Sequence, residues 1–515
     1  GCYSPQGYKH ASEMAPPPPA PKMIMEDLAP EPQAGEAEES NTEEYDKIDE
    51  NPFLSSKENP LSTFSIDVDN ASYSNVRRFI NENRMPYPDA VRIEEMINYF
   101  SYDYKNPTGE DPFSINTEVG ECPWNDEHYL VHIGLQGKKM ANEDLPPSNL
   151  VFLLDVSGSM NDYNKLPLLK SAFNLLVNQL DKNDRVAIVV YAGAAGVVLP
   201  STPASQQSTI LEALNGLEAG GSTAGGAGIQ LAYKIAQENF IRGGNNRVIL
   251  ATDGDFNVGP SSDGELVRMI EEKRENGVFL SVLGFGTGNY KDSKMEQLAD
   301  KGNGNYAYID NIQEAKKVLV NEMGGTLFTI AKDVKIQVEF NPSIIKGYRL
   351  IGYENRVMAA EDFNDDKKDA GELGAGHTVT ALYEVVPHDA DTEIRTSDKL
   401  KYQMSVPLNS SSSELMTVKF RYKAPDGDVS KLIEQPIMDG AYELDDTSED
   451  YRFSAAVAAF GMILRKSKYR GTSDYRLVKK LATEGKGYDL NGYRSEFIEL
   501  VQKAEKLDVN FGKED

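Results

Sequence analysis

The sequence predicts an α/β protein: a doubly wound, mostly parallel sheet inserted in or flanked by a β-sandwich, with a small N-terminal α+β module and C-terminal helices. Three observations predict it. Between about 149 and 325, uninterrupted Val, Ile and Leu runs alternate with amphipathic stretches, the pattern of strands buried on both faces and joined by crossover helices. On either side of that block the apolar period falls to two, which marks half-buried antiparallel strands. The chain is also 515 residues long, more than one hydrophobic core serves, so several cores are expected.

Taken in order, residues 1–50 carry the run Pro16-Pro17-Pro18-Pro19-Ala20-Pro21 and then Glu36, Glu38, Glu39, Glu43, Glu44, Asp46, Asp49 and Glu50, with almost no aliphatic periodicity. Such a segment buries too little to fold, and its prolines and like charges extend it, so it reads as a disordered tether. Residues 51–148 form the N-terminal module. Phe64-Ser65-Ile66-Asp67-Val68-Asp69 reads as a short strand, and Tyr73, Val76, Phe79 and Ile80 are spaced for a helix. Pro88-Asp89-Ala90 opens a second helix with Val91, Met96, Ile97 and Phe100 as its apolar stripe. Two alternating runs, from Phe113 to Val119 and from Tyr129 to Leu135, then read as antiparallel strands of the sandwich.

Residues 149–325 are the α/β domain. Strands are expected at 149–155, 185–191, 247–252, 278–285 and 306–309, and helices at 166–180, 208–217, 226–240, 263–275, 293–300 and 312–323. Ligands of such sheets bind at the carboxyl ends of the strands. In 326–446, alternation returns around Val334 to Phe340, Val379 to Val385 and Met416 to Tyr422, so this region completes the sandwich begun before residue 149. Residues 447–515 are a helical region. Its apolar run from Phe453 to Leu464 is too short to cross a bilayer, which takes roughly 20 residues, and reads as a buried helix.

The charge balance, 53 Lys and Arg against 81 Asp and Glu, argues against nucleic acid and anionic membrane surfaces as partners, because both need clustered cations. The two cysteines, Cys2 and Cys122, supply no disulfide framework, and Cys122 beside Pro123 and Trp124 reads as a buried thiol. The start Gly1-Cys2, followed by a polar, Pro-rich stretch, matches a bacterial lipoprotein trimmed at an acylated cysteine, so Cys2 is the expected lipid attachment and the membrane is touched only through that anchor.

The chemistry concentrates in three loops. The strand 149–155 runs into Val156-Ser157-Gly158-Ser159, giving Asp-x-Ser-x-Ser with Asp155 at its head; Gly220-Gly221-Ser222-Thr223 precedes a helix; the strand 247–252 ends in Asp253-Gly254. In a doubly wound sheet these loops converge at one edge. Five hard oxygen donors then favour Mg²⁺, with Mn²⁺ or Ca²⁺ as alternatives, over Zn²⁺. A helix-capping role for the hydroxyls explains one such residue per helix, not a set on three loops.

In residues, order and context this set resembles the metal-ion-dependent adhesion site (MIDAS) of von Willebrand factor type A (VWA) domains, a Rossmann-like fold, over about 149–325. The resemblance implies that Ser157, Ser159 and Thr223 supply hydroxyl ligands, and that Asp155 and Asp253 coordinate directly or through water. The flanks, in 64–78 and in Gly374-Ala375-Gly376-His377-Thr378-Val379-Thr380-Ala381-Leu382-Tyr383, are similar to bacterial lipoproteins of the YfbK type. The expected function is a non-enzymatic cell-envelope lipoprotein that binds proteins for adhesion or complex assembly. One open metal position would accept a partner's Asp or Glu carboxylate. By resemblance to lipoprotein sorting, Tyr3 rather than Asp after Cys2 implies the outer membrane, on its periplasmic or surface face. Competing readings are a regulatory subunit of an enzyme or of an AAA-type, chelatase-like system, and a structural scaffold with an inactive site.

Other candidates are weaker. No His-Glu-x-x-His occurs, and His128 and His132, four apart on a strand, read as packing or surface residues. Ser157 lacks the Gly-x-Ser-x-Gly elbow of a nucleophile, and Gly284-Phe285-Gly286-Thr287-Gly288 lacks a P-loop lysine and reads as a turn. Asp67-Val68-Asp69-Asn70 has donors for Ca²⁺, but a capped strand-to-helix corner accounts for it better.

Overall fold

The computed structural model describes residues 45–66, 69–141, 144–221, 225–254, 256, 263–287, 291–322, 327–368, 370–397 and 412–511. Cys2 and nearly all of the expected tether, 1–44, lie outside the described residues. So do Asp67, Val68 and Thr223.

The central sheet has six strands: β1 (Ser148–Asp155), β2 (Arg185–Tyr191), β3 (Ala195–Pro203), β4 (Asn245–Thr252), β5 (Val278–Phe285) and β6 (Tyr306–Ile309), in the order β6-β5-β4-β1-β2-β3. All neighbours pair in parallel except β2 and β3. Every residue of β1 and β4 is buried, as a sheet covered on both faces requires. Alternate residues of β1 serve opposite cores. Phe152 and Leu154 pack with Leu169 and Phe173 of helix α1 (Leu166–Val177), whereas Val151 and Leu153 pack with Ile229 and Tyr233 of helix α2 (Gly225–Glu238).

The edge strand β3 has no periodic signal. Its sequence contains Gly196, Pro200 and Pro203, and Val197 and Val198 are exposed. An edge strand tolerates proline because one side of its backbone needs no ladder partner.

The sandwich is built from both flanks of that sheet. One layer runs Leu54–Ser55, Ile345–Ile351, Thr378–Pro387, Tyr129–Gly137, Phe113–Glu121; the other runs Val357–Met358, Leu61–Ser65, Thr329–Phe340, Glu414–Lys423, Lys431–Met438, with Gly371–Gly374 attached to Thr329–Phe340. Tyr129–Gly137 pairs with Thr378–Pro387 across the whole α/β block, and Leu61–Ser65 pairs with Thr329–Phe340. The central sheet is therefore an insertion between sandwich strands. Val131, Ile133, Val379, Ala381, Ile336, Val338 and Phe420 form the shared core between the layers.

Helices Ala71–Asn81, Ile93–Asn98, Glu449–Leu464, Tyr475–Glu484 and Tyr493–Phe511 share a fourth core around Tyr73, Phe100, Phe453, Phe460 and Phe497. Ser448 caps the first of the C-terminal helices by accepting from Tyr451 N–H, and that helix is buried along nearly its whole length. Among the described residues, no helix is long and apolar enough to cross a membrane.

Candidate metal centre

The site is assembled by register. Leu154 of β1 lies opposite Ala251 of β4, and Asp155 lies opposite Tyr191 at the end of β2. The carboxyl ends of three adjacent parallel strands therefore arrive together, and the chain leaves each of them in a loop. Asp155 and Asp253 are both buried. Ser157 is buried and Ser159 is exposed, so the loop runs from the sheet interior to the surface.

Asp155 is held on both oxygens. Its Oδ1 accepts the Ser157 backbone N–H at 2.8 Å, and its Oδ2 accepts the hydroxyls of Tyr191 and Thr252, each at 3.3 Å. Burial pushes its carboxyl above the usual range, and the charge of Asp253 adds to that, against the opposing hydrogen bonds from Ser157. Ser157 Oγ and Ser159 Oγ are 3.0 Å apart. The Lys165 ammonium donates to Asp253 Oδ2 at 3.0 Å.

The Gly220-Gly221 loop docks against the same chain turn. Gly220 N–H donates to Val156 O at 2.8 Å, and Gly158 N–H donates to Gly221 O at 3.0 Å. Gly221 has φ +86°, a conformation that favours glycine. Four of the five expected ligands are thus described: Asp155 at the end of β1, Ser157 and Ser159 in the loop after it, and Asp253 directly after β4. Thr223 lies outside the described residues, between Gly221 and the start of α2, both of which are described.

The donor set fits a small hard cation. Magnesium holds oxygens at about 2.0–2.1 Å in an octahedron, so adjacent ligands stand about 3 Å apart. The two serine oxygens have that separation. The Lys165 ammonium already rests on Asp253, so an ion at this site would share that carboxylate with it.

Lys165, Tyr191 and Thr252 were not legible as site residues. Tyr191 and Thr252 end buried strands, where an aromatic or a threonine is ordinary. Lys165 sits in a polar loop, and only the fold brings it to Asp253.

A second cluster has metal-like geometry without hydroxyls. Asp69, Glu95 and Glu296 each offer an oxygen within 4.8 Å of the others. These oxygens already have cationic partners: Arg92 binds Glu95 through Nε and reaches Asp292 at 2.6 Å and Glu296 at 3.7 Å. Arg356 reaches Glu296 at 2.8 Å, Asp300 at 2.6 Å and Asp69 at 3.5 Å. Two guanidiniums already pair with these carboxylates, so the cluster reads as an internal joint. Asn70 does start the next helix, as the capped-corner reading expects, but its side chain makes no capping bond.

The remaining candidates are structural. His132 is buried between Tyr104 and Ser454, and His128 Nδ1 donates to the Glu384 carboxylate at 2.6 Å. Cys122 is free and buried, and burial pushes its thiol well up. Gly286, in the expected turn after β5, has φ +76°; Gly288 lies outside the described residues.

Comparison with known proteins shows the family. The family model described as von Willebrand factor type A domain matches residues 149–321, so the inserted block is a VWA domain. VWA domains commonly bind a divalent metal ion and mediate protein-protein interactions. A model described as von Willebrand factor matches 39–132, and one described as uncharacterized protein YfbK, C-terminal, matches 325–507. The chain is 45% identical over 473 residues to the uncharacterized protein YfbK of Escherichia coli (strain K12), covering 90% of this chain and 81% of that protein. It belongs to the YfbK-type family of VWA-domain proteins.

Inter-alpha-trypsin inhibitor heavy chain H3 of Pongo abelii is 24% identical over 312 residues, covering 56% of this chain and 34% of that one. A solved von Willebrand factor type A structure from Catenulispora acidiphila is 18% identical with a TM-score of 0.39, covering 75% of this chain and 89% of that chain.

Proposed function

We propose that the VWA domain binds a partner protein through a divalent cation held by Asp155, Ser157, Ser159, Thr223 and Asp253, and that the protein is not an enzyme. The observation that carries this reading is the 3.0 Å pair of serine oxygens beside the buried Asp155 and Asp253, a spacing suited to neighbouring ligands of Mg²⁺ or Mn²⁺. Two carboxylates balance the ion's charge and three neutral hydroxyls leave it electrophilic. A bound ion supplies Lewis acidity toward an outside oxygen, and a partner's Asp or Glu carboxylate is the ligand whose charge suits it best.

The residues of this chain do the rest. Tyr191 and Thr252 orient Asp155 from the adjacent strands, and the exposed Ser159 faces the side from which a partner approaches. Tyr163, 85% exposed in the same loop, offers an aromatic side chain of the kind enriched in protein interfaces. A local 2+ ion outweighs the screened negative charge elsewhere on the chain, so an acidic protein can hold an acidic ligand. Calorimetry of the full chain should register Mg²⁺ or Mn²⁺ binding that Asp155→Ala abolishes; equal binding by the variant ends the proposal.

We propose further that the protein sits at the bacterial outer membrane with Cys2 as its lipid attachment. Its support is the sequence around Cys2. Radiolabelled palmitate should enter the wild-type protein and not Cys2→Ser, and label retained in the variant removes the anchor.

A further inference from the structure

Lys165 is unusual for a lysine: its side chain is only 10% exposed, and its ammonium rests 3.0 Å from Asp253 Oδ2. Lysine is rarely buried without a partner, and burying an ammonium is costly unless a carboxylate faces it. The fold makes a place for this side chain. Gly286, at φ +76°, lies directly on the lysine stem: a Cβ there would stand 2.4 Å from Cε, 2.7 Å from Cγ and 2.9 Å from Cδ. The Gly286 carbonyl is fixed in turn by the Tyr308 hydroxyl at 2.5 Å. At the other end, Lys165 N–H donates to Asp162 O at 3.0 Å and Lys165 O accepts from Leu169 N–H at 2.8 Å. The residue is thus tied to both the Gly158–Asn161 turn region and the first turn of α1.

Asp253 is therefore asked to serve two cations. An ammonium and a divalent ion on one carboxylate repel each other at close range in a partly desolvated site, where the attraction of each for Asp253 is only weakly screened. We infer that Lys165 is a resident counter-cation that competes with the divalent ion for Asp253, so that metal binding and loosening of the Lys165–Asp253 pair are one coupled event. This rests on the metal site proposed above and adds its regulation. Without metal, Lys165 offsets the repulsion between Asp155 and Asp253 and keeps the loops in place. With metal, the freed ammonium adds positive charge at the site and passes the change to the 158–166 loop and α1.

The test uses the full chain with Mg²⁺ or Mn²⁺ alone as the probe. Lys165→Met keeps the stem that packs on Gly286 and removes the charge. Calorimetry should give roughly tenfold tighter metal binding for this variant than for wild type, whereas Lys165→Arg, which keeps the charge, stays near wild type. In metal-free buffer Lys165→Met should melt at a lower temperature than wild type, and saturating metal should recover the difference. Equal or weaker metal binding by Lys165→Met overturns the inference while leaving the metal site standing, because a lysine that merely supports the fold would weaken the site when lost. Absence of metal binding in wild type and variant alike defeats the metal site and, with it, the competition.

Discussion

Two groups of buried carboxylates in this protein are closed in opposite ways. In the joint between the N-terminal helices and the α/β block, Asp69, Glu95, Asp292, Glu296 and Asp300 face Arg92 and Arg356, whose planar forks reach several carboxylates at once. At the carboxyl edge of the central sheet, Asp155 and Asp253 meet two serine hydroxyls, Tyr191, Thr252 and one lysine. In the first arrangement the carboxylates are already paired with guanidiniums built into the chain. The second is compensated by hydroxyls, which can donate or accept, and by a single ammonium rather than a planar fork. Clustered acid alone therefore does not mark a metal site; what matters is whether the compensating charge is fixed.

The largest test of this contrast is removal of a fixed cation. Arg92→Met leaves Asp292, Glu95 and Glu296 buried with their shared positive partner gone, and should cost about 3–5 kcal/mol of stability in urea unfolding. Asp155→Asn, which keeps an acceptor for the Ser157 N–H, should change metal-free stability by less than about 1 kcal/mol. Similar losses for the two variants would mean that both clusters are structural joints, and the distinction drawn between them would fail.

The legible part of this molecule follows the same division. The α/β block could be read because strands buried on both faces are long aliphatic runs, and β1 and β4 are buried throughout. Asp155, Ser157, Ser159 and Asp253 could be read because each ends or follows such a run, where a polar residue stands out, and Thr223 because it closes a Gly-rich loop before a helix. The edge and the interior of the sandwich were harder. Lys431–Met438 contains Pro436 and is mostly exposed, and Ile345–Ile351 carries Gly347 and the buried Arg349, so neither alternates cleanly. The internal joints were not legible at all. Arg92 and Asp292 are 200 positions apart, and Arg356 finds Asp69 across the inserted block; only long-range packing makes them partners. Lys165 was missed for the same reason, since its role depends on Asp253 and Gly286.

A smaller effect separates sealed joints from the open edge by acid. His132, on the sandwich strand Tyr129–Gly137, is buried against the helix Glu449–Leu464, with Tyr104 OH 2.5 Å from Nε2 and Ser454 Oγ 3.0 Å from Nδ1. Its partners are neutral, so burial lowers its pKa to about 4, and the charge of Asp450 opposes this only in part. The unfolded chain protonates this histidine near its ordinary value of about 6.5, while the native state stays unprotonated down to about 4. In that window the unfolded state binds one more proton, so stability rises with pH: the contribution is complete above the ordinary value and is lost as pH falls toward the folded value. Each pH unit within it should remove about 1.4 kcal/mol. Urea unfolding of the metal-free protein between those limits should show this slope, and His132→Phe, though less stable at neutral pH through loss of two hydrogen bonds, should flatten it. An unchanged acid limb in His132→Phe would assign the loss to other groups, and the buried imidazole would no longer distinguish the sealed interior from the sheet edge.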